Sequence, residues 1–251
     1  METMIVGKFI GADALAAVGS SYMTMNFLTS IVIGLCMGSG IVFSWFYGSK
    51  QPEKLEKSMF QAFVFIFGVM VVITGASLLC INPLLHLLNI EQSIFQMTKE
   101  YLFIIICGMG FVFFYNYFTA VLRSMGNSFT PLIFLIVSSV LNIILDYVFV
   151  VPFQMGVGGA AYATIIAQGV SAAGITVYTL WKVPEVKISK RMLRRDRELF
   201  RMIVNQSLLT SVQQSIMNLG ILMVQGLVNC FGVTVMAGFA AAVKIDSFAY
   251  M

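Results

Sequence analysis

The chain has 251 residues, of which 59% are hydrophobic and 10% are charged, whereas charged residues make up about 25% of an ordinary soluble domain. This composition excludes a water-soluble fold and also a disordered chain, which needs low hydrophobicity and high net charge. The net charge of +4 is small for this length, so no nucleic-acid partner is expected. We predict an all-α, polytopic membrane protein, because each membrane span needs about 20 apolar residues.

Glycine, proline and charged residues divide the chain into apolar stretches long enough to span a membrane. A short run, Met4–Ile10, comes first and ends at Gly11. About six complete spans are predicted next, over residues 14–46, 59–81, 99–122, 131–151, 156–181 and 202–231. Residues 84–90 are predicted to be a short connector, and residues from Val235 onward begin a further element. The chain is therefore expected to carry a partial element at each end.

The basic residues indicate how these spans are oriented. Twelve of the 15 Lys and Arg residues fall in alternate loops: Lys50, Lys54 and Lys57, then Arg123, then eight residues between Lys182 and Arg201. Basic loops stay on the cytoplasmic side of a membrane, so we expect these loops to face the cytoplasm. The segment 182–201 is predicted to be a solvated cytoplasmic linker that lies near anionic membrane lipid.

Asp146 is the strongest candidate for a functional residue. It is the only ionisable carboxylate between Ser124 and Trp181, and Asn142 lies four residues earlier, on the same face of a predicted helix. A carboxylate at the centre of a membrane helix costs about 2.5–3.5 kcal/mol on insertion scales. Burial favours the neutral form of a carboxylic acid, so we interpret this pair as a proton-binding site. An interfacial carboxylate, or one paired with a basic residue for packing, is the alternative.

The last predicted span carries uncharged polar residues along one helical face. At 100° per residue they fall within an arc of about 120°: Gln206, Thr210, Gln214, Asn218 and Gln225. Such a face lines a water-accessible cavity or makes hydrogen bonds between helices, and both interpretations stay open. Tyr115, Asn116 and Gln168, in earlier spans, are further candidates for the wall of such a cavity.

Other patterns indicate packing rather than chemistry. Gly34 and Gly38 have the spacing that lets two membrane helices approach closely. The run at Gly156–Gly159 lacks the lysine of a phosphate-binding loop. The four cysteines lie singly in apolar stretches, and no HExxH or CxxC motif is present. We therefore expect no catalytic residues, no metal site and no cofactor.

Several segments resemble a known transporter family when taken in chain order. Residues 1–19 resemble the end of helix one and the start of helix two in multidrug and toxic compound extrusion (MATE) transporters. The run LRSMGN at 122–127, followed by Pro131, is similar to that family's loop between helices four and five. Asn142 and Asp146, then GVGGAAYAT at 156–164, resemble its helix-five acid site and the start of helix six.

The resemblance implies a fold and a function. MATE proteins have two six-helix lobes and exchange protons or sodium for organic cations by alternating access. In this chain, residues 1–181 are similar to the N-terminal lobe, 182–201 to the linker, and 202–251 to the start of the C-terminal lobe. Asn142 and Asp146 match the family's helix-five cation site, and Glu2 falls at its helix-one aspartate. The stretch at 213–215 lacks the helix-seven acid of some sodium-coupled members, which favours the proton.

An organic-cation antiporter of the inner membrane is thus the leading hypothesis, with a small cationic molecule as substrate. A missing C-terminal lobe or a second chain is expected to complete it. A flippase for lipid-linked saccharides is one alternative, disfavoured because Arg123, predicted in a loop, is the only arginine before residue 190. An inactive fragment and a membrane-embedded enzyme are the others, and the enzyme would need more than one deep acid. The residues 11–27 and 232–248 share a faint internal repeat, which such carriers often contain.

Overall fold

A computed structural model describes residues 2–87, 90, 92–183 and 196–229. These residues form nine α-helices and no strand. The helices are α1 (Glu2–Phe9), α2 (Ala12–Gly48), α3 (Pro52–Leu79), α4 (Ile81–Leu87), α5 (Gln92–Cys107), α6 (Met109–Ser124), α7 (Phe129–Val150), α8 (Gly156–Lys182) and α9 (Arg197–Asn229). The all-α prediction is confirmed. Most of the predicted linker, the element expected from Val235 onward and the second copy of the repeat lie outside the described residues.

The apolar helices account for most of the predicted spans. Within the described residues, 4 helices (α2, α3, α7 and α8) are long and apolar enough to cross a membrane, and α5 with α6 adds a fifth if the pair is one span. The sixth predicted span, 202–231, corresponds to α9, which is less apolar than the other long helices. Its amide and hydroxyl side chains keep this 33-residue helix below the apolarity of the others. By length and composition, the described residues support four or five of the six predicted spans.

The third predicted span is broken at Gly108. The helices α5 and α6 meet there at an angle of 42°, and the first turn of α5 begins seven residues before the predicted start. A Cβ atom at Gly108 would lie 2.7 Å from the Ile165 side chain of α8. The glycine therefore lets α8 approach the bend, a tertiary contact that the apolar pattern did not reveal.

Turn residues set the remaining helix boundaries. α2 ends at Gly48, and Lys50 takes a positive φ of 54° that reverses the chain. Pro52 then occupies the first turn of α3, where its missing N–H group costs no hydrogen bond. The residues predicted as a connector begin within a short helix, α4. Arg123, predicted in a loop, lies in the last turn of α6, because that helix continues to Ser124.

The long helix α2 is central to the packing. It contacts α3, α5, α6 and α9, while α7 packs along α8 and against α1. One apolar core joins α2, α3, α6 and α9, with Phe43 and Phe113 at its centre. A second core, smaller than the first, joins α1, α2, α5, α7 and α8.

Ser44 of α2 and Ser124 of α6 line one cavity, so the loops that follow these two helices lie at the same end of the bundle. The pairs Asn142–Thr164 and Phe134–Tyr178 show that α7 and α8 are antiparallel, so the end of α8 also lies there, opposite the loop between α7 and α8.

Candidate functional site

Asp146 lies in the last turns of α7 and is fully buried, with 0% of its surface exposed. Val150, one turn further along, belongs to the second apolar core, together with Val6 of α1 and Val157 of α8. The face of α7 that carries the carboxylate therefore points into the bundle and away from lipid. The geometry matches the predicted burial of Asp146.

Asn142 occupies the preceding turn of α7 and joins this helix to α8. Its Nδ2 atom donates a hydrogen bond to the Thr164 hydroxyl at 3.1 Å. Both side chains are half-buried. The polar groups of α7 thus lie one turn apart on the face that packs against α8. Thr164 is a site residue that the sequence patterns did not single out.

The short helix α1 carries Glu2, the second predicted acid. α1 begins at Glu2 and packs against α7, where the rings of Phe9 and Tyr147 meet edge to face at 6.4 Å. Val6 of α1 and Val150 of α7 belong to the same apolar core, so α1 packs near the turn of α7 that follows Asp146. The Glu2 side chain is outside the described residues, and its role stays a prediction.

The predicted cavity residues of the earlier spans do come together. Tyr115, Asn116 and Gln168 line one cavity of about 180 Å³ between α6, α7 and α8. Ser138 of α7 and Ser171 of α8 complete its polar wall. The Tyr115 hydroxyl donates to the backbone carbonyl of Pro131 at 3.0 Å. No carboxylate lines this cavity in the described part of the chain.

The cavity and Asp146 are connected along two helices. On α7, Ser138 of the cavity wall is followed by Asn142 and then by Asp146, at intervals of one turn. On α8, Gln168 of the cavity wall is preceded by Thr164, also one turn away. The hydrogen bond between Asn142 and Thr164 therefore lies between the cavity and the buried carboxylate.

The predicted polar face of α9 lies outside this cavity. Gln206, Thr210, Gln214 and Asn218 are half-buried, and the Thr210 hydroxyl bonds back to the Gln206 carbonyl of its own helix at 2.9 Å. Gln225 lies on α9, but its side chain is outside the described residues. None of these residues lines the cavity between α6, α7 and α8.

Serines, not amides, hold α9 against α2. The hydroxyls of Ser39 and Ser207 share a hydrogen bond of 2.8 Å, and Ser211 donates to the Ile31 carbonyl at 3.2 Å. A Cβ atom at Gly34 would lie 2.5 Å from the Ser211 Cα, and one at Gly38 would lie 2.6 Å from the Gln206 carbonyl oxygen. The close packing that the glycine spacing predicts is present, and its partner is α9. We call these contacts the α2–α9 seam.

No metal-binding cluster is found among the described residues: no three His, Cys, Asp or Glu side chains come together there. The site is thus a buried acid, an interhelical amide–hydroxyl pair and a neutral polar cavity. These groups can exchange a proton and can hydrogen-bond a small organic molecule.

Comparison with known proteins identifies the family. The MatE family model matches residues 2–148, which is more than half of the chain. The chain belongs to the MATE family. It is a multi-pass membrane protein with the MATE fold, as the resemblance implied.

Two curated MATE relatives match nearly all of this chain. The probable multidrug resistance protein YoeA of Bacillus subtilis is 30% identical, and the match covers 99% of this chain and 55% of YoeA. The probable multidrug resistance protein NorM of Thermotoga maritima is 29% identical over 100% of this chain and 54% of NorM. The chain spans about half the length of the curated relatives it matches.

Solved structures show the same fold in two states. An inward-facing multidrug resistance MATE transporter matches with a TM-score of 0.83 and 24% identity, covering 98% of this chain and 56% of its own. An outward-facing structure matches with a TM-score of 0.85 at 24% identity, over 98% and 55% of the two chains. At this identity the match concerns the fold alone, and both states fit this chain about equally well.

Proposed function

We propose that this MATE chain forms the N-terminal lobe of a secondary antiporter that exports organic cations in exchange for protons. The observation that carries the proposal is the full burial of Asp146, one helical turn from an amide that bonds across to α8. Burying a carboxylate in a membrane protein costs free energy, so a fully buried one is by default a candidate functional residue. A second lobe, from a longer chain or from a second one, would complete the cleft.

The exchange follows from the charge of one group. Ionised Asp146 would attract a cation, and protonation would remove that attraction and release it. Because α1, α7 and α8 pack around this residue, the change of charge would also alter how these helices fit together. The similar match to inward-facing and outward-facing structures supports a mechanism in which the lobe moves as a unit while the cleft opens to either side.

The cavity between α6, α7 and α8 would bind the uncharged part of the substrate. The Phe111 and Tyr115 rings offer apolar and stacking contact, and Asn116 and Gln168 offer hydrogen bonds. Ligand pockets for drug-sized molecules usually measure about 300–1,000 Å³, so this cavity of about 180 Å³ would hold a part of the substrate. The rest would lie in the cleft between the lobes.

The expected setting is the inner membrane, with the basic loops and the linker in the cytoplasm. In that orientation Asp146 lies toward the outer end of α7, where the pH is lower in a respiring cell. A proton entering from outside would reach it before it reached the cavity. This order suits an exporter in which proton entry drives substrate release.

Replacing Asp146 by Asn tests the proposal in a two-lobed transporter that contains this chain. The substitution keeps the size of the side chain and removes its charge, so proton-driven export of ethidium from drug-sensitive cells should be lost. Asp13→Asn is the matched control, because Asp13 is an exposed aspartate in the first turn of α2. Normal export by the Asp146 variant would refute the proposal. Export that follows a sodium gradient and not a proton gradient would assign sodium as the coupling ion.

A further inference from the structure

The helices α5 and α6 form a broken span, and the break lies beside the candidate site. They meet at 42°, and Gly108 is the single residue between them. The Gly108 N–H group is shared between the carbonyls of Ile104 at 3.2 Å and Ile105 at 2.9 Å, as is common at a helix terminus. Broken helices in membrane carriers commonly lie at binding sites, so the position of this break bears on function.

The two halves of the broken span pack into different cores. Ile104 of α5 belongs to the second core, together with Val150 of α7, which follows Asp146 by one turn. Met109, the first residue of α6, belongs to the first core. The bend at Gly108 therefore joins the part of the bundle near the acid to the part that holds α6.

The first turn of α6 forms part of the wall of the cavity between α6, α7 and α8. Phe111 and Val112 line that cavity, three and four residues after Gly108. The Phe111 ring also lies against α8, because a Cβ atom at Gly169 would be 3.5 Å from its Cζ atom. A change in the angle at Gly108 would move this turn and so change the shape of the cavity.

The helix α8 contacts the bend through one side chain. A Cβ atom at Gly108 would lie 2.7 Å from the Cγ1 atom and 3.0 Å from the Cδ1 atom of Ile165, so this side chain packs directly on the glycine. Ile165 follows Thr164, which accepts the hydrogen bond from Asn142 of α7. A shift of α8 relative to α7 would therefore reach Gly108 through Ile165.

Asp146 is the group whose charge would change the packing of α7 against α8. It is fully buried, one turn from Asn142. Among the described residues, Tyr101 is the other buried ionisable side chain in this region. The remaining ionisable residues near this end of the surrounding helices are exposed or half-buried: Lys8, Asp13, Lys99, Glu100, Tyr147 and Tyr162.

We propose that Gly108 is a hinge that couples the charge of Asp146 to the shape of the cavity between α6, α7 and α8. The inference rests on the proposed transport function and specifies how the acid acts on the substrate. Protonation of Asp146 changes how α7 packs against α8, Ile165 moves against the bend, and Phe111 shifts in the cavity wall. The acid would then release a substrate by closing the cavity as well as by losing its charge.

Binding of a neutral probe to the purified two-lobed transporter that contains this chain tests the hinge. Phenanthridine has the ring system of ethidium without its permanent charge, so Asp146 exerts no ionic attraction on it near neutral pH. We expect Asp146→Asn to weaken phenanthridine binding by at least about 5-fold, the lower end of the usual coupling between two sites. Attraction between charges alone would leave this binding unchanged.

Two variants interrupt the coupling at the bend and keep Asp146. Ile165→Ala removes the side chain through which α8 contacts Gly108. Gly108→Ala in that background adds a methyl group that favours helical backbone at the bend, and the clash with Ile165 is already gone. In both backgrounds Asp146→Asn should change phenanthridine binding by less than about 2-fold. Gly68→Ala, with no atom within 4 Å of the added carbon, is the control and should retain the full effect.

The outcomes separate the hinge from the proposed function. Loss of the Asp146 effect in bend variants that still bind phenanthridine supports the hinge. A full Asp146 effect in either variant overturns it, as does phenanthridine binding that Asp146→Asn leaves unchanged in the wild-type background. Failure of both variants to bind phenanthridine also overturns it, because the hinge transmits the charge and does not form the cavity. In each of these cases the cation antiporter still stands if ethidium is exported and Asp146→Asn abolishes that export.

Discussion

Asp146 and Asn142 could be placed on one helix face from the sequence, because four residues make little more than one helical turn. The residue on α8 that bonds to Asn142 could not be predicted from the sequence. Thr164 follows Asn142 by 22 residues, and only the packing of α7 along α8 brings the two side chains to 3.1 Å. Periodicity reports neighbours within a helix, whereas the neighbours that complete a site come from another helix.

Removing the Thr164 hydroxyl should loosen the α7–α8 pair. Thr164→Val keeps the shape of the side chain but leaves the Asn142 amide without its acceptor, so the free energy of unfolding should fall by about 0.6–1.7 kcal/mol. Thermal unfolding of the purified protein in detergent measures this change. Thr176→Val is the control, because the Thr176 hydroxyl bonds only to the Ala172 carbonyl of its own helix. Equal changes for both variants would contradict an interhelical role for Thr164.

At the scale of elements, the spacing of Gly34 and Gly38 predicted a close helix contact but not its partner. The structure supplies α9, whose Ser207 and Ser211 have side chains small enough for the backbones to meet. The break at Gly108 was missed for a related reason. A glycine inside an apolar run fits both a continuous helix and a bend, and the approach of Ile165 decides between them.

A methyl group on Gly38 should disrupt the α2–α9 seam. Its Cβ atom would fall 2.6 Å from both the Gln206 carbonyl oxygen and the Ser207 Cα, which are backbone atoms and cannot rotate away. Overpacking of this kind costs about 1–3 kcal/mol, so Gly38→Ala should lower the melting temperature. Gly19→Ala, on the same helix with no atom within 4 Å of the added carbon, should leave it unchanged. If Gly38→Ala leaves the melting temperature unchanged, the α2–α9 seam is packed less closely than the structure indicates.

At the scale of the whole molecule, composition alone predicted the all-α membrane fold, because so apolar a chain has few alternatives. The count of spans was less secure. The polar face that made α9 attractive as a cavity wall also makes it less apolar than the other spans. In the proposed two-lobed transporter, helices of the second lobe would decide whether its amides line a cavity.

The proposed orientation predicts which loops can be labelled from outside a cell. In a background without native cysteines, a membrane-impermeant maleimide should label Phe153→Cys in intact cells, because Phe153 is exposed in the loop between α7 and α8. Lys50→Cys, in the basic loop after α2, should react only after the membrane is permeabilised. The reverse labelling pattern would place the basic loops outside the cell and would contradict the proposed orientation.

The central claim, that Asp146 exchanges a proton for a cation, can be measured without a membrane gradient. Purified two-lobed transporter that contains this chain is mixed with ethidium in weakly buffered detergent solution, and a pH-sensitive dye reports protons released on binding. The account predicts release by the wild type and by Asp13→Asn, and none by Asp146→Asn. Undiminished proton release from the Asp146→Asn protein would contradict it.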